Sequence, residues 1–144
     1  MKILVINGPN LNMLGIREPD IYGRQTYKDL VASIEAWANE LGQQAEVFQS
    51  NHEGEIVTRI QDAYFEKVDG IVINAAAYTH TSVAILDALK AVQIPTVEVH
   101  LSDISARDEF RKHSFVSLYA EKMICGKGFG GYKEALEYLA EKLA

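Results

Sequence analysis

Five short apolar runs, each separated from the next by a stretch of helical periodicity, constrain this chain more than any other feature. They are KILVIN (2–7), AEVFQS (45–50), GIVINA (70–75), PTVEVHL (95–101) and KMICG (122–126). Mostly too short for helices and rich in β-branched residues, they read as strands. From Thr26, TYKDLVASIEAWANELG offers Thr26 as N-cap with Asp29 three residues on. Leu30, Ile34, Trp37 and Leu41 share one face, and Gly42 is the stop. Further helices are expected over 54–67 (Ile56, Ile60, Ala63, Tyr64), 81–92 and 130–143 (Ala135, Leu136, Leu139, Leu143), with a short one after Ser105. Strand and helix alternating five times calls for a parallel sheet with helices on both faces and right-handed crossovers. At this length the usual solution is the flavodoxin-like three-layer α/β sandwich, strand order 2-1-3-4-5. The 144 residues suffice for one domain over 1–144, able to bury roughly two thirds of its unfolded surface.

Charge and cysteine usage narrow the function classes. Lys plus Arg number 14 against 20 Asp plus Glu, a net −6, which argues against a nucleic-acid partner because phosphate binding needs clustered positive charge. One local exception is ARDEFRKH, which groups Arg107, Arg111, Lys112 and His113. No apolar run approaches the ~20 residues of a membrane span, and no basic segment precedes an apolar one. The expectation is a soluble, unexported, cytoplasmic protein. The single Cys125 rules out a disulfide framework and is expected to be a buried structural thiol.

In the order 2-1-3-4-5, strands 1, 3 and 4 are neighbours, and ligands of such sheets bind beyond the carboxyl ends of the strands at the switch point. Three polar loops meet there. After strand 1 comes a loop far longer than a strand-to-helix connection needs, holding Asn10, Asn12, Arg17, Glu18, Asp20 and Tyr22. After strand 3 comes NAAAYTHTS with Asn74 and His80, and after strand 4 HLSDISARDEFRKHS with His100, Ser102, Arg107 and Arg111. Period-2 alternation puts Glu98, His100 and Ser102 on one side of strand 4. A carboxylate two residues from a histidine on the same face favours imidazolium, making His100 a candidate general acid. An isolated pair of this kind would be taken as structural; convergence with two other polar loops reverses that preference.

Other chemistries fit the residues less well. The histidines at 52, 80, 100 and 113 come from separate segments with no HExxH or CxxC, so no metal is expected. GKGFGG matches G-x-G-x-x-G, but the chain runs only thirteen residues further, without a second strand or an acidic ribose ligand. A tight turn into the last helix is the better reading. A phosphoacceptor receiver needs aspartates where this chain has Asn7 and Asn74. A flavin carrier would want a Ser/Thr-rich phosphate loop in place of NGPNLN. Spacing alone thus leaves only an acid–base enzyme acting on a small anion; the non-enzymatic rival is a module that binds a small polyhydroxylated acid without turnover.

The strings INGPNLNMLGIREPDIYG, QSNHEGE, INAAAYTHTSVAILDAL, VEVHLSDISARDEFRKHS and GFGGYKEAL strongly resemble type II 3-dehydroquinate dehydratase from end to end. The resemblance implies reversible dehydration of 3-dehydroquinate to 3-dehydroshikimate without metal or organic cofactor. The route implied is anti elimination through an enolate, in a homododecamer built as a tetramer of trimers. It casts Tyr22 as the base that removes the proton alpha to the ketone, with Arg17 favouring its phenolate and Arg107 adding positive charge nearby. His100, backed by Glu98, would protonate the leaving hydroxyl, and Asn10 would help hold a water that stabilises the enolate oxygen. The N–H groups of Leu101 and Ser102, with the Ser102 hydroxyl, would take the substrate carboxylate. Asn74, His80 and Arg111 resemble ring-hydroxyl and carboxylate binders, and Asp87 the residue that reaches a neighbouring subunit's site. The long first loop would then be a lid, bracketed by Gly15 and Gly23, that brings Arg17 and Tyr22 over the substrate.

Overall fold

All five apolar runs pair into one parallel sheet in the computed structural model, which describes residues 1–16, 20 and 25–144. The strands are β1 (Lys2–Asn7), β2 (Gln44–Gln49), β3 (Gly70–Asn74), β4 (Thr96–His100) and β5 (Lys122–Cys125), in the order β2-β1-β3-β4-β5. Among the described residues, four α-helices of ten or more residues flank it: α1 (Tyr27–Glu40), α2 (Glu53–Phe65), α3 (Val83–Val92) and α4 (Gly130–Lys142). The expected order is therefore the observed one, with strand ends within one residue of the ends of the apolar runs.

Because side chains alternate across a strand, each central strand feeds two cores. Val5, Val72, Val97 and Val99 pack beneath Leu30, Ile34 and Ala38 of α1 and Ala135, Leu136 and Leu139 of α4. Leu4, Ile6, Ile71 and Ile73 face the other way, against Ile56, Ile60 and Ala63 of α2 and Ile85 and Leu89 of α3. Complete burial of one such isoleucine stabilises the fold by roughly 1.5–3 kcal/mol, and a chain buried on both faces of three strands has many of them. Thr96, Glu98 and His100 alternate with the two buried valines of β4 and so lie on the α3 side of the sheet. Glu98, in register with Ile73, interrupts an otherwise apolar layer.

Helix α1 carries the expected capping box: Asp29 N–H donates to Thr26 Oγ1 at 3.1 Å, and Thr26 N–H donates back to the Asp29 carboxylate at 3.0 Å. At its other end Gly42 takes φ 72°, and Gln43 N–H closes onto Ala38 O at 2.9 Å. Two expected core positions are corrected. Leu41 is 37% exposed because it is the cap residue after the helix has ended, and the buried stripe runs Leu30, Ile34, Ala38. Tyr64 is 59% exposed: one residue past Ala63 it has rotated off the buried face, and it meets Phe65 edge-on at the surface instead. Cys125 is also only partly buried, its Sγ 3.7 Å from Asp103 Oδ1, since β5 is an edge strand. The short helix expected after Ser105 is replaced by two 3-10 turns, Ile104–Ala106 and Glu109–Arg111. GKGFGG does turn β5 into α4, with Gly126 and Gly128 at φ 77° and 54°.

Candidate active site

The exits of β1, β3 and β4 surround one cavity of about 140 Å³. From β1 come Pro9, Asn10 and Leu11; from β3, Asn74, Ala76, Ala77 and His80; from β4, His100, Leu101, Ser102, Ile104, Arg107 and Arg111. Leu101 and Ser102 lie past the last residue of β4, so the walls are strand-end loops held by a rigid sheet.

The β1 exit is tied down by side-chain amides. Asn10 adopts the left-handed conformation, φ 69°, which asparagine tolerates better than most residues, and its N–H donates to Asn51 Oδ1 at 3.0 Å. Gln49 Nε2 lies 3.1 Å from Gly8 O and from Asn51 Oδ1, and 3.3 Å from Asn12 Oδ1. These bonds hold Asn10 at the rim of the cavity.

Asn74, at the end of β3, is oriented from beneath. Its Nδ2 donates to Tyr132 Oη at 3.0 Å while its Oδ1 accepts from Ala76 N–H at 3.1 Å. Tyr132 Oη in turn donates to Asn7 Oδ1 at 2.6 Å, and Asn7 Nδ2 donates to Tyr27 Oη at 3.4 Å. Burial drives the Tyr132 phenol far above its usual range, only partly opposed by its bond from Asn74, so it serves as a fixed neutral donor. Two asparagines at the ends of β1 and β3 are thereby linked through a phenol supplied by the last helix.

His80 Nδ1 lies 2.7 Å from His113 O. A carbonyl only accepts, so Nδ1 carries the hydrogen, and in the neutral ring Nε2 is left as an acceptor. Burial lowers the His80 pKa, and the charges of His100, Arg111 and Arg107 add to this against the bond to His113 O. A neutral imidazole with this tautomer suits a ligand hydroxyl.

His100 Nε2 forms a short bond with Glu98 Oε2; His100 is 4% exposed and Glu98 0%. The Glu98 carboxylate also accepts from Ser114 Oγ at 2.6 Å, from Thr79 Oγ1 at 3.1 Å, and from Ser117 Oγ. Burial alone pushes the Glu98 carboxyl up, yet the His100 bond and charge, with the Ser114 and Ser117 hydroxyls, hold it below the ordinary carboxylate range. Arg111 Nε is 3.6 Å from Asp108 Oδ2, and its guanidinium stands 5.0 Å from the Phe110 ring centroid. A histidine with a buried anion behind it, beside two arginines, equips the cavity to bind a small anion and exchange protons with it. Among the described residues no three His, Cys, Asp or Glu side chains come together as a metal site.

Similarity to known proteins extends over nearly the whole chain. Residues 1–140 match the family model described as dehydroquinase class II. The chain belongs to the class II dehydroquinases. It is 58% identical over 142 residues to a 3-dehydroquinate dehydratase of Caldicellulosiruptor bescii, covering 99% of this chain and 98% of that protein. A catabolic 3-dehydroquinase of Aspergillus clavatus is 59% identical over 139 residues, covering 96% and 92%. Among solved structures, the type II dehydroquinase of Butyrivibrio crossotus superposes with a TM-score of 0.95 at 51% identity, covering 96% of this chain and 97% of its own.

The fold of this class II dehydroquinase brings Asn10, Asn74, His80, His100, Leu101, Ser102, Arg107 and Arg111 together around the cavity, with Glu98 directly behind His100. Asp87 is exposed on α3 and is not among the cavity residues. Arg17 and Tyr22, and with them the expected lid, lie outside the described residues. Thr79, Ser114, Ser117, Asn7 and Tyr132 were missing from the sequence reading as site residues. For Tyr132 the legible signal was its place in the first turn of a helix whose following residues face the sheet; the hydroxyl side chains around Glu98 left no periodic trace.

Proposed function

We propose that this class II dehydroquinase catalyses the reversible dehydration of 3-dehydroquinate to 3-dehydroshikimate, serving either the shikimate route or quinate breakdown. The observation that carries the reading is the His100–Glu98 pair facing a cavity with Arg107 and Arg111. In the proposed route Tyr22, with its phenolate favoured by Arg17 and Arg107, removes the proton alpha to the ketone. The electron pair moves onto the carbonyl oxygen, and Asn10 helps to hold a water against the enolate. Collapse of the enolate expels the beta hydroxyl from the opposite face, and His100 supplies the proton that lets it leave as water. Glu98, behind His100, stabilises the positive charge that the ring carries as the acid, so the transition state meets a donor already in place.

Binding follows from the same walls. The N–H groups of Leu101 and Ser102 and the Ser102 hydroxyl take the substrate carboxylate, with Arg111 adding charge. His80 offers Nε2 to a ring hydroxyl, and Asn74 offers the amide hydrogen that its bond to Tyr132 leaves over. No metal or organic cofactor enters this scheme. We further propose one catalytic domain over 1–144, assembled as a dodecamer of four trimers in which Asp87 reaches a neighbouring site, acting in the cytoplasm. No helix among the described residues is long and apolar enough to cross a membrane.

The test is incubation of the purified protein with 3-dehydroquinate and EDTA while following the absorbance of the conjugated enone. Growth of that band supports the reading. Saturable binding without any enone would replace it with a non-catalytic module for a polyhydroxylated acid.

A further inference from the structure

Glu98 is an unusual residue for the centre of a sheet, a carboxylate with 0% exposure in register with Ile73 of the neighbouring strand. Burying an anion costs several kcal/mol unless donors replace its water. Here the donors come from outside the sheet. Thr79 belongs to the 3-10 turn Ala76–His80 after β3, and Ser114 and Ser117 flank Val116, whose side chain packs into the α3-side core. Phe115 N–H donates to Thr79 O at 2.7 Å, and His80 Nδ1 donates to His113 O at 2.7 Å. The two segments are therefore stitched together next to the carboxylate.

We propose that Thr79, Ser114 and Ser117 are positioning residues that hold the Glu98 carboxylate ionised and aimed at His100, and thereby set the strength of His100 as a proton donor. The inference rests on the dehydratase reading given above. Ser117 serves Oε1, while Oε2 takes His100, Ser114 and Thr79. Thr79 Oγ1 and Ser114 Oγ are themselves 2.6 Å apart; with one hydrogen on each hydroxyl, Ser114 donates to Oε2 while Thr79 donates either to Oε2 or to Ser114 Oγ. Such an array suits an anion: a protonated carboxyl would have to donate, and one of the hydroxyls would have to turn round to accept. Among the described residues, the charged or titratable groups facing the pair are His80, Arg107 and Arg111 from the cavity side and Cys125 on β5, which feels the Glu98 charge. The three hydroxyls differ from these in being neutral at every working pH. They stabilise the anion without adding a titration of their own.

The experiment is carboxyl NMR titration of protein labelled in its glutamates, with the Glu98 signal assigned by its loss in Glu98→Gln. In Ser114→Ala/Ser117→Ala the Glu98 midpoint should rise by about one unit, roughly a tenfold gain in proton affinity. The pH above which kcat is lost should fall, with KM changed less than kcat. Thr79→Val should act in the same direction, and Thr79→Ser should restore wild-type titration because it returns the hydroxyl. If the double variant does not fold, the Thr79 pair alone decides. An unchanged Glu98 midpoint in a folded variant lacking these hydroxyls would overturn the proposal. The carboxyl titration needs no substrate, so a protein that fails to dehydrate 3-dehydroquinate would sink the proposed activity while the hydroxyl array is still judged on its own readout.

Discussion

Replacing Gly8 by alanine would put a methyl group where the exits of β1 and β3 touch. The new Cβ would stand 2.3 Å from Ala75 O and 2.6 Å from its carbonyl carbon, whereas ordinary contact begins at 3.4 Å. The obstacle is backbone, and Ala75 is 0% exposed within the α3-side core, so neither side can yield by rotating a side chain. The strand ends must part by about 1 Å, stretching the 2.8 Å bond from Gly8 N–H to Asn74 O. Overpacking a core costs typically about 1–3 kcal/mol, and the weakened bond adds roughly 0.5–1.5. A loss of about 3 kcal/mol lowers Tm by roughly 10 °C in a chain of this size. Calorimetry and urea unfolding at fixed protein concentration measure it. Because Asn74 moves with Ala75, kcat/KM should fall at least tenfold in protein that is still folded. Gly54→Ala is the control, since its Cβ meets nothing within 4 Å and alanine favours the helix by up to ~1 kcal/mol. A Gly8→Ala protein melting within 2 °C of the parent, by the ~2–4 °C per kcal/mol scale, would refute the reasoning.

Tyr132→Phe removes the donor to Asn7 Oδ1 and the acceptor for Asn74 Nδ2; equilibrium unfolding should show a loss of about 1–3 kcal/mol, with KM rising as Asn74 loses its fixed orientation. Glu98 has a folded pKa below its ordinary 4.5, so the unfolded chain binds its proton first. Its contribution is complete above that value and is lost as pH falls through the folded pKa. Glu98→Gln should accordingly flatten the acid side of the stability–pH curve, and an equally steep curve would count against the pairing. Tyr22→Phe should retain substrate affinity by calorimetric titration yet lose nearly all turnover; near-wild-type kcat would mean that another group is the base.

The sheet was legible because three of its strands are buried on both faces and so read as unbroken apolar runs, and strand order followed from their alternation with helices. His100, Glu98 and the arginines were legible because they cluster just after those runs. Thr79, Ser114 and Ser117 were not, since a hydroxyl beside a buried anion and a hydroxyl on a surface turn look alike until the fold brings residues 79, 98 and 114 together. Leu41 and Tyr64 were misplaced for a related reason: periodicity locates an apolar stripe but does not say at which residue the helix stops facing its partner. Tyr132 lies in the first turn of a helix legible only from Ala135, Leu136, Leu139 and Leu143, and nothing in that periodicity shows that its phenol completes an asparagine network 58 residues from Asn74.

The bond between Tyr132 and Asn7 spans 125 residues, which gives the site a place in time as well as in space. A ribosome making ~5–20 residues per second delivers β1, β3 and β4 seconds before α4 follows. Until then Asn7 and Asn74 have no phenol to bond, and the valine faces of β3 and β4 lack the cover of Ala135 and Leu136. A nascent chain halted before residue 130 can therefore pair strands but has an unfloored pocket. Competence to bind substrate should switch on only as the final helix leaves the exit tunnel, which makes ribosome-bound chains of increasing length a direct clock for the assembly of the cavity.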